Sequence, residues 1–239
     1  MATEHVVSVD GETVSAVHHP AESDRWLFFC HGFLSDKSGS YKSRCERAVA
    51  AGYNAVRFDF RGSGDSDGAF VESTLSTRIA DLRAVVAHFS PPSYALFGSS
   101  FGAKTAFHAA TDAPRLKALV ARSPVTYNRA FESYRGTVEA EGVLRYDDDR
   151  AIDARFFDDF DAYEFESATA DIEVPVAIVH GTADESVPIE DSIEALGALE
   201  TDVYFGKYAG EGHRFSGAAE RRLREQVLGW LETVYETRT

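Results

Sequence analysis

An α/β fold follows from three features of the sequence. Short apolar runs alternate with helix-periodic segments along most of the chain. An Asp-Gly pair joins two alternating runs near the start, and a Gly-x-Ser-x-Gly turn separates one apolar run from the next helix. The expected architecture is a mostly parallel, doubly wound sheet covered on both faces. An antiparallel N-terminal hairpin should lie at one edge, and a short helical insertion should interrupt the alternation.

Val7 and Val9 alternate before Asp10-Gly11, and Val14 and Val17 follow, which is a hairpin signature. Trp26 to Cys30 is continuously apolar, as in a strand buried on both faces. Tyr41, Cys45, Ala48 and Val49 fall at helical spacing and Gly52 supplies the stop. Asn54 to Phe60 reads as a strand. Thr74 to Phe89 reads as a helix with Ile79, Leu82, Val85, Val86 and Phe89 on one stripe, ended by Pro91-Pro92. Tyr94 to Phe97, Leu116 to Ala121, Val174 to His180 and Val203 to Tyr208 are further strands. Phe101 to Ala110, Ile189 to Leu199 and a last segment carrying Leu223, Val227, Trp230, Leu231 and Val234 are helices. Residues 126–170 are rich in Asp, Glu, Tyr and Phe and contain no clean strand. They read as a helical cap inserted within one domain spanning 1–239. Right-handed crossovers would gather the strand C-termini on one rim, where such sheets bind ligands.

The chain has 239 residues and a net charge of −15, from 39 Asp+Glu against 24 Lys+Arg. That field repels nucleic acid and anionic membranes, so neither is an expected partner. Lysine occurs only at positions 37, 42, 104, 117 and 207. Dense acid with scarce lysine resembles halophilic proteins, whose self-repulsion is screened by multimolar salt. Cys30 and Cys45 are too few for a disulfide framework. No apolar run approaches the roughly 20 residues of a membrane span. The first residues lack the basic-then-apolar order of a signal peptide, and a cytoplasmic location is the expectation.

Gly98-Ser99-Ser100-Phe101-Gly102 lies between a strand and a helix. Only Ser100 has glycines at both −2 and +2, so it is the candidate nucleophile. A serine hydroxyl needs a base, and the base needs an orienting group. Asp184 follows the strand ending at His180, and His213 follows the strand ending at Tyr208, in the order Ser, Asp, His that this arrangement requires. Glu185 is a competing carboxylate. The Phe101 N–H is one oxyanion donor, and Phe33, just after Trp26 to Cys30, offers the second. His31 better suits loop architecture and His180 a buried strand end. Asp59 and Arg61 read as structural partners, and Asp147-Asp148-Asp149 as a solvated face. The histidines show no metal-ligand spacing, and no cofactor is implied.

The stretches HGF at 31–33, FDFRGSGDSDG at 58–68, GSSFG at 98–102, HGTADESVP at 180–188 and GEGHRF at 210–215 together resemble the α/β-hydrolase superfamily. Within it, they are similar to feruloyl/cinnamoyl esterases and related small carboxylesterases. The resemblance implies an α/β-hydrolase fold and cleavage of small-molecule carboxylic esters. Its roles are Ser100 as nucleophile, Asp184 as orienting acid, His213 as base, and Phe33 and Phe101 as backbone oxyanion donors. Those esterases often have glutamine where Phe101 stands. The cap should roof the pocket, with Phe131, Tyr134, Tyr146, Phe157 and Tyr163 as wall residues. An amidase or peptidase, a thioesterase, and a non-catalytic binding protein of the same fold are alternatives. The scarcity of lysine and the negative field weigh against a thioesterase that grips coenzyme A phosphates. Retention of all three candidate side chains weighs against loss of catalysis.

Overall fold

The computed structural model describes residues 1–237. Its strands are β1 (Thr3–Val9), β2 (Glu12–His19), β3 (Arg25–Cys30), β4 (Asn54–Phe58), β5 (Ser93–Ser99), β6 (Leu116–Arg122), β7 (Val143–Arg145), β8 (Ala151–Asp153), β9 (Val176–Gly181) and β10 (Val203–Tyr208). The helices are α1 (Ser40–Ala50), α2 (Leu75–Phe89), α3 (Phe101–Ala109), α4 (Glu132–Glu141), α5 (Ala154–Phe160), α6 (Phe165–Thr169), α7 (Ile189–Ala198) and α8 (Gly217–Thr237). Eight strands form one sheet in the order β1-β2-β4-β3-β5-β6-β9-β10. β1 and β4 run antiparallel to β2, and every pairing from β4 to β10 is parallel.

The hairpin forms as the sequence predicts. Asp10 and Gly11 both take positive φ, 50° and 87°, which a two-residue turn matched to strand twist requires. Thr74 caps α2 by accepting a 3.3 Å hydrogen bond from the Thr77 N–H. Two apolar clusters sandwich the sheet. One joins Phe28, Val56, Leu96 and Leu119 to α2, α3 and residues 125–172. The other joins Phe29, Ala55, Phe97 and Val120 to α1 and α8.

Two expectations are corrected. β4 stops at Phe58 because the buried Asp59 carboxylate turns away to bind Lys37 and the Asp65 N–H. The inserted segment is not purely helical, since β7 and β8 pair as a small antiparallel hairpin. Asp147 closes its turn by accepting from the Asp149 and Arg150 N–H groups. The hairpin strands are only three residues each, too short to leave a clear alternating pattern.

α3 lies very close to β3. A Cβ on Gly102 would stand 2.4 Å from the carbonyl oxygens of both Cys30 and His31, and one on Gly98 would stand 2.4 Å from Ala103 Cα. The glycines are therefore a steric requirement for bringing a helix onto the end of a strand. Gly102→Ala should destabilise the protein by about 1–3 kcal/mol, as overpacking of a filled core does. Urea denaturation measures this, and an unchanged midpoint would contradict so close a packing.

Candidate active site

Ser100 sits between β5 and α3 at φ 54°, ψ −121°, a strained conformation for a residue with a Cβ. Its N–H donates to the Arg122 carbonyl (2.9 Å) and its carbonyl accepts from Ala103 (3.0 Å) and Val125 (3.2 Å). The main chain is thus held from three directions and the side chain reaches a cavity of about 740 Å³. Ser99 is the last residue of β5; it is buried, borders the same cavity, and its hydroxyl accepts from Arg44 Nη1 at 3.4 Å.

Asp184 has no exposed side-chain surface. Its Oδ1 accepts from the Ser186 and Val187 N–H groups, both at 2.9 Å. Its Oδ2 faces His213 Nδ1 at 2.8 Å and His180 Nε2 at 3.2 Å. Burial alone would raise the carboxyl pKa, but the hydrogen bonds from His180, His213 and the Val187 amide outweigh it and hold the group well below the usual carboxylate range. Glu185, the competing carboxylate, is exposed. The carboxylate is an acceptor only, so His213 carries its proton on Nδ1 and leaves Nε2 free to act as a base. Ser100 and His213 line the same cavity, with no hydrogen bond between their side chains.

His180 is buried at its strand end, as its sequence context suggests, and is also a second donor to Asp184. Its Nε2 lies 3.0 Å from the Val187 carbonyl, which can only accept, so that nitrogen carries the proton. Ser192 then donates to Nδ1 at 2.7 Å. Gly181 lets the base-bearing loop cross β9, because a Cβ there would stand 2.2 Å from the Glu211 carbonyl oxygen.

Among the described residues, neither the Phe33 nor the Phe101 N–H has a hydrogen-bond partner. Phe33 borders the cavity. The loop that carries it is pinned by two buried groups. His31 donates from Nδ1 to the Gly32 carbonyl (2.8 Å) and accepts from the Phe60 N–H at Nε2 (3.1 Å). Burial and the nearby Arg78 charge lower its pKa to about 3, so it is uncharged at neutral pH. Arg78 donates to the Phe33 carbonyl (3.2 Å), and its guanidinium lies over the rings of Phe33, Phe60 and Phe101. Sequence reasoning missed Arg78. Its position three residues after Leu75 and four before Leu82 puts it on the apolar stripe of α2, and that spacing was the available signal.

Of the five expected wall residues, Phe131 and Tyr134 line the cavity. Tyr146 stands behind them, with its ring 5.7 Å from that of Phe33. Phe157 is packed under the Arg135 guanidinium. Tyr163 hydrogen-bonds Ser76 at 2.8 Å and packs against His108. The last two pack the insertion onto the core, because apolar helices need partners before they can roof anything. Phe101 occupies the position after Ser100 with its ring against Phe33, Phe131, Phe156 and Phe160, where a glutamine amide would need hydrogen-bond partners. Asp59 and Arg61 are structural, as their sequence context suggests: Arg61 pairs with the buried Asp81 at 2.6 Å. Among the described residues, no group of three or more His, Cys, Asp or Glu could hold a metal ion. No described helix is long and apolar enough to cross a membrane.

Residues 21–139 match the family model described as serine aminopeptidase, S33. Human mitochondrial palmitoyl-protein thioesterase ABHD10 is 26% identical over 212 residues, covering 82% of this chain and 69% of that protein. The structure of mouse ABHD10 superposes with a TM-score of 0.86 at 19% identity, covering 97% of this chain and 99% of the other. Est1E from Butyrivibrio proteoclasticus, solved with ferulic acid, gives a TM-score of 0.87 at 21% identity over the same shares. The chain has the α/β-hydrolase fold. The proteins it is similar to include esterases and a thioesterase.

Lys104 tests how the insertion is held. This buried lysine of α3 donates to the carbonyls of Thr126 (3.2 Å) and Tyr163 (2.8 Å). Burial lowers its pKa to about 7. Between that value and the ordinary lysine pKa of about 10.4, the unfolded chain binds the extra proton, so stability rises with pH. The stability of wild type relative to Lys104→Met should therefore increase from pH 6 to pH 9, measured by denaturant unfolding. A difference independent of pH would contradict it.

Proposed function

We propose that the protein hydrolyses carboxylic esters through Ser100, His213 and Asp184. The observation that carries this reading is the hydrogen-bonded Asp184–His213 pair, whose imidazole-bearing residue lines the same cavity as a strained serine. His213 Nε2 takes the Ser100 proton as the hydroxyl attacks the ester carbonyl. Asp184 holds the imidazole in the required tautomer and offsets its charge. The N–H groups of Phe33 and Phe101 receive the developing oxyanion. His213 returns the proton to the leaving alcohol, and water then cleaves the acyl-enzyme by the same path reversed. Phe33, Phe131 and Tyr134 suit an aromatic or alkyl acyl group, which is in keeping with the likeness to a feruloyl esterase. Acyl thioesters are the second reading, favoured by the thioesterase named among the relatives.

Ser100→Ala should lower kcat on p-nitrophenyl butyrate by about 10⁴-fold or more while leaving circular dichroism unchanged. Asp184→Asn should cost roughly 10⁴-fold, because it frees the wrong imidazole tautomer. Retained turnover in the purified serine variant would remove the mechanism. Paired oxygen esters, hydroxycinnamates and thioesters then rank the acyl and leaving-group preferences.

The charge balance supports a second proposal, that the protein is adapted to high salt. Its thermal midpoint should rise steadily across a series from dilute buffer to multimolar KCl. Full stability in dilute buffer would refute that adaptation.

A further inference from the structure

The cavity that holds Ser100 has two unlike arms. Phe33, Val125 and Phe131 belong to the apolar cluster under the insertion, whereas Tyr41 and Phe215 belong to the cluster on the opposite sheet face. In the second arm the wall carries Arg44 and Arg122, which are 4% and 7% exposed. Both reach a single carboxylate, Glu220. Arg44 Nη2 donates to it at 2.8 Å, and Arg122 Nε lies 3.3 Å away without hydrogen-bond geometry. Arg122 Nη2 donates to the His213 carbonyl at 2.6 Å, and among the described residues its Nη1 has no hydrogen bond. Phe215 stacks on the Arg122 guanidinium, and Tyr41 and Phe97 flank that of Arg44. Each fork is therefore held in place.

Gly39, Ser40 and Tyr41 bring the start of α1 to the same arm. That helix has no side-chain cap and no acidic residue in its first turn. Its first N–H groups, apart from that of Tyr41, which donates to the Ser38 carbonyl at 3.2 Å, favour an anion. The charged cavity residues other than His213 are Arg44, Arg122, Arg214, Asp36 and Glu220, a positive excess of one in a chain of net charge −15. Arg122 shares its one ion-pair carboxylate, Glu220, with Arg44, which leaves the pair of guanidinium groups with charge to spare. Burial first and then the Arg44 charge lower the Arg122 pKa, against the opposing pull of Glu220 and Asp184.

We infer that this arm binds a carboxylate carried on the leaving group of the substrate. The side follows from the chemistry. His213 must hand its proton to the leaving oxygen, and Arg122 is hydrogen-bonded to that same residue. The acyl group then occupies the aromatic arm. The inference rests on the ester-hydrolase reading above, and the test separates the two.

The first measurement is calorimetric titration of wild-type protein with 4-hydroxybenzoate and with its methyl ester. The carboxylate should bind about tenfold tighter or more, as a charged hydrogen bond provides. Equal or tighter binding of the methyl ester overturns the inference, whether or not the protein hydrolyses esters. The second compares kcat/KM for 4-carboxyphenyl butyrate and its methyl ester, each divided by its alkaline hydrolysis rate. Arg44→Gln should lower the ratio of charged to neutral substrate about tenfold, and Glu220→Gln should raise it. Rates that change together with a constant ratio would make the cluster structural and overturn the proposal. So would a preference for p-nitrophenyl hydrogen glutarate, whose charge is on the acyl side, responding to the same two variants. If Ser100→Ala retains full activity on the neutral ester, the mechanism fails instead, and the titration still decides the anion site.

Discussion

Asp184 is a carboxylate with no exposed side-chain surface, and such a group remains charged only where donors converge on both oxygens. Four do so: two backbone amides of its own loop and one nitrogen from each of two histidines. The rest of the site depends on this arrangement. It fixes the His213 tautomer and turns Nε2 toward the cavity. It also explains His180, whose second nitrogen is occupied by Ser192, so that the imidazole cannot rotate away from the acid. The loops themselves are tied together, with Thr182 and Ala183 donating to the Tyr208 and Glu211 carbonyls at 2.9 Å. Base and acid are therefore held as one unit, although 29 residues separate them.

The loop of the proposed oxyanion donors is built by a different principle. Among the described residues the Phe33 and Phe101 N–H groups have no hydrogen-bond partner, and they lie beside an aromatic cluster, where an unpaired backbone donor is costly. The loop resists closing on itself because its carbonyls are already engaged: that of Gly32 by His31, and that of Phe33 by Arg78. Burying a guanidinium under that loop is expensive, and three ring faces together with the Ser73 hydroxyl offset part of the cost. One Arg78 nitrogen still has no hydrogen-bond partner among the described residues, which fits a group placed to hold geometry.

What was legible in the sequence was local. The succession of strands along the chain, the Asp-Gly turn and the three candidate side chains follow from short runs, because a glycine at close approach or a loop after a strand leaves its mark within a few residues. Partners that meet across the fold left weaker marks. His180 could be placed at a strand end, but its contact with Asp184 depends on how the following turn folds back. Arg122 closes a strand and Arg44 lies in a helix. Nothing nearby in sequence shows that both meet Glu220, a separation of 176 residues for Arg44. The insertion was the least legible part. Its aromatic residues could serve the cavity or the core equally well, and only packing separates Phe131 and Tyr134 from Phe157 and Tyr163.

The acidity of the chain and the charge of its cavity act over different ranges. Exposed carboxylates are screened beyond about 8 Å at physiological ionic strength and about 3 Å at 1 M salt. The Arg44–Arg122–Glu220 cluster is buried, and mobile ions screen it far less. Added salt therefore weakens the repulsive outer field much more than it weakens the cluster. A surface that repels anions at long range and a cavity able to hold one at contact can coexist in the same molecule. The contrast grows as the surrounding salt rises, so a strongly negative net charge says little about the sign of the charge a substrate meets beside Ser100.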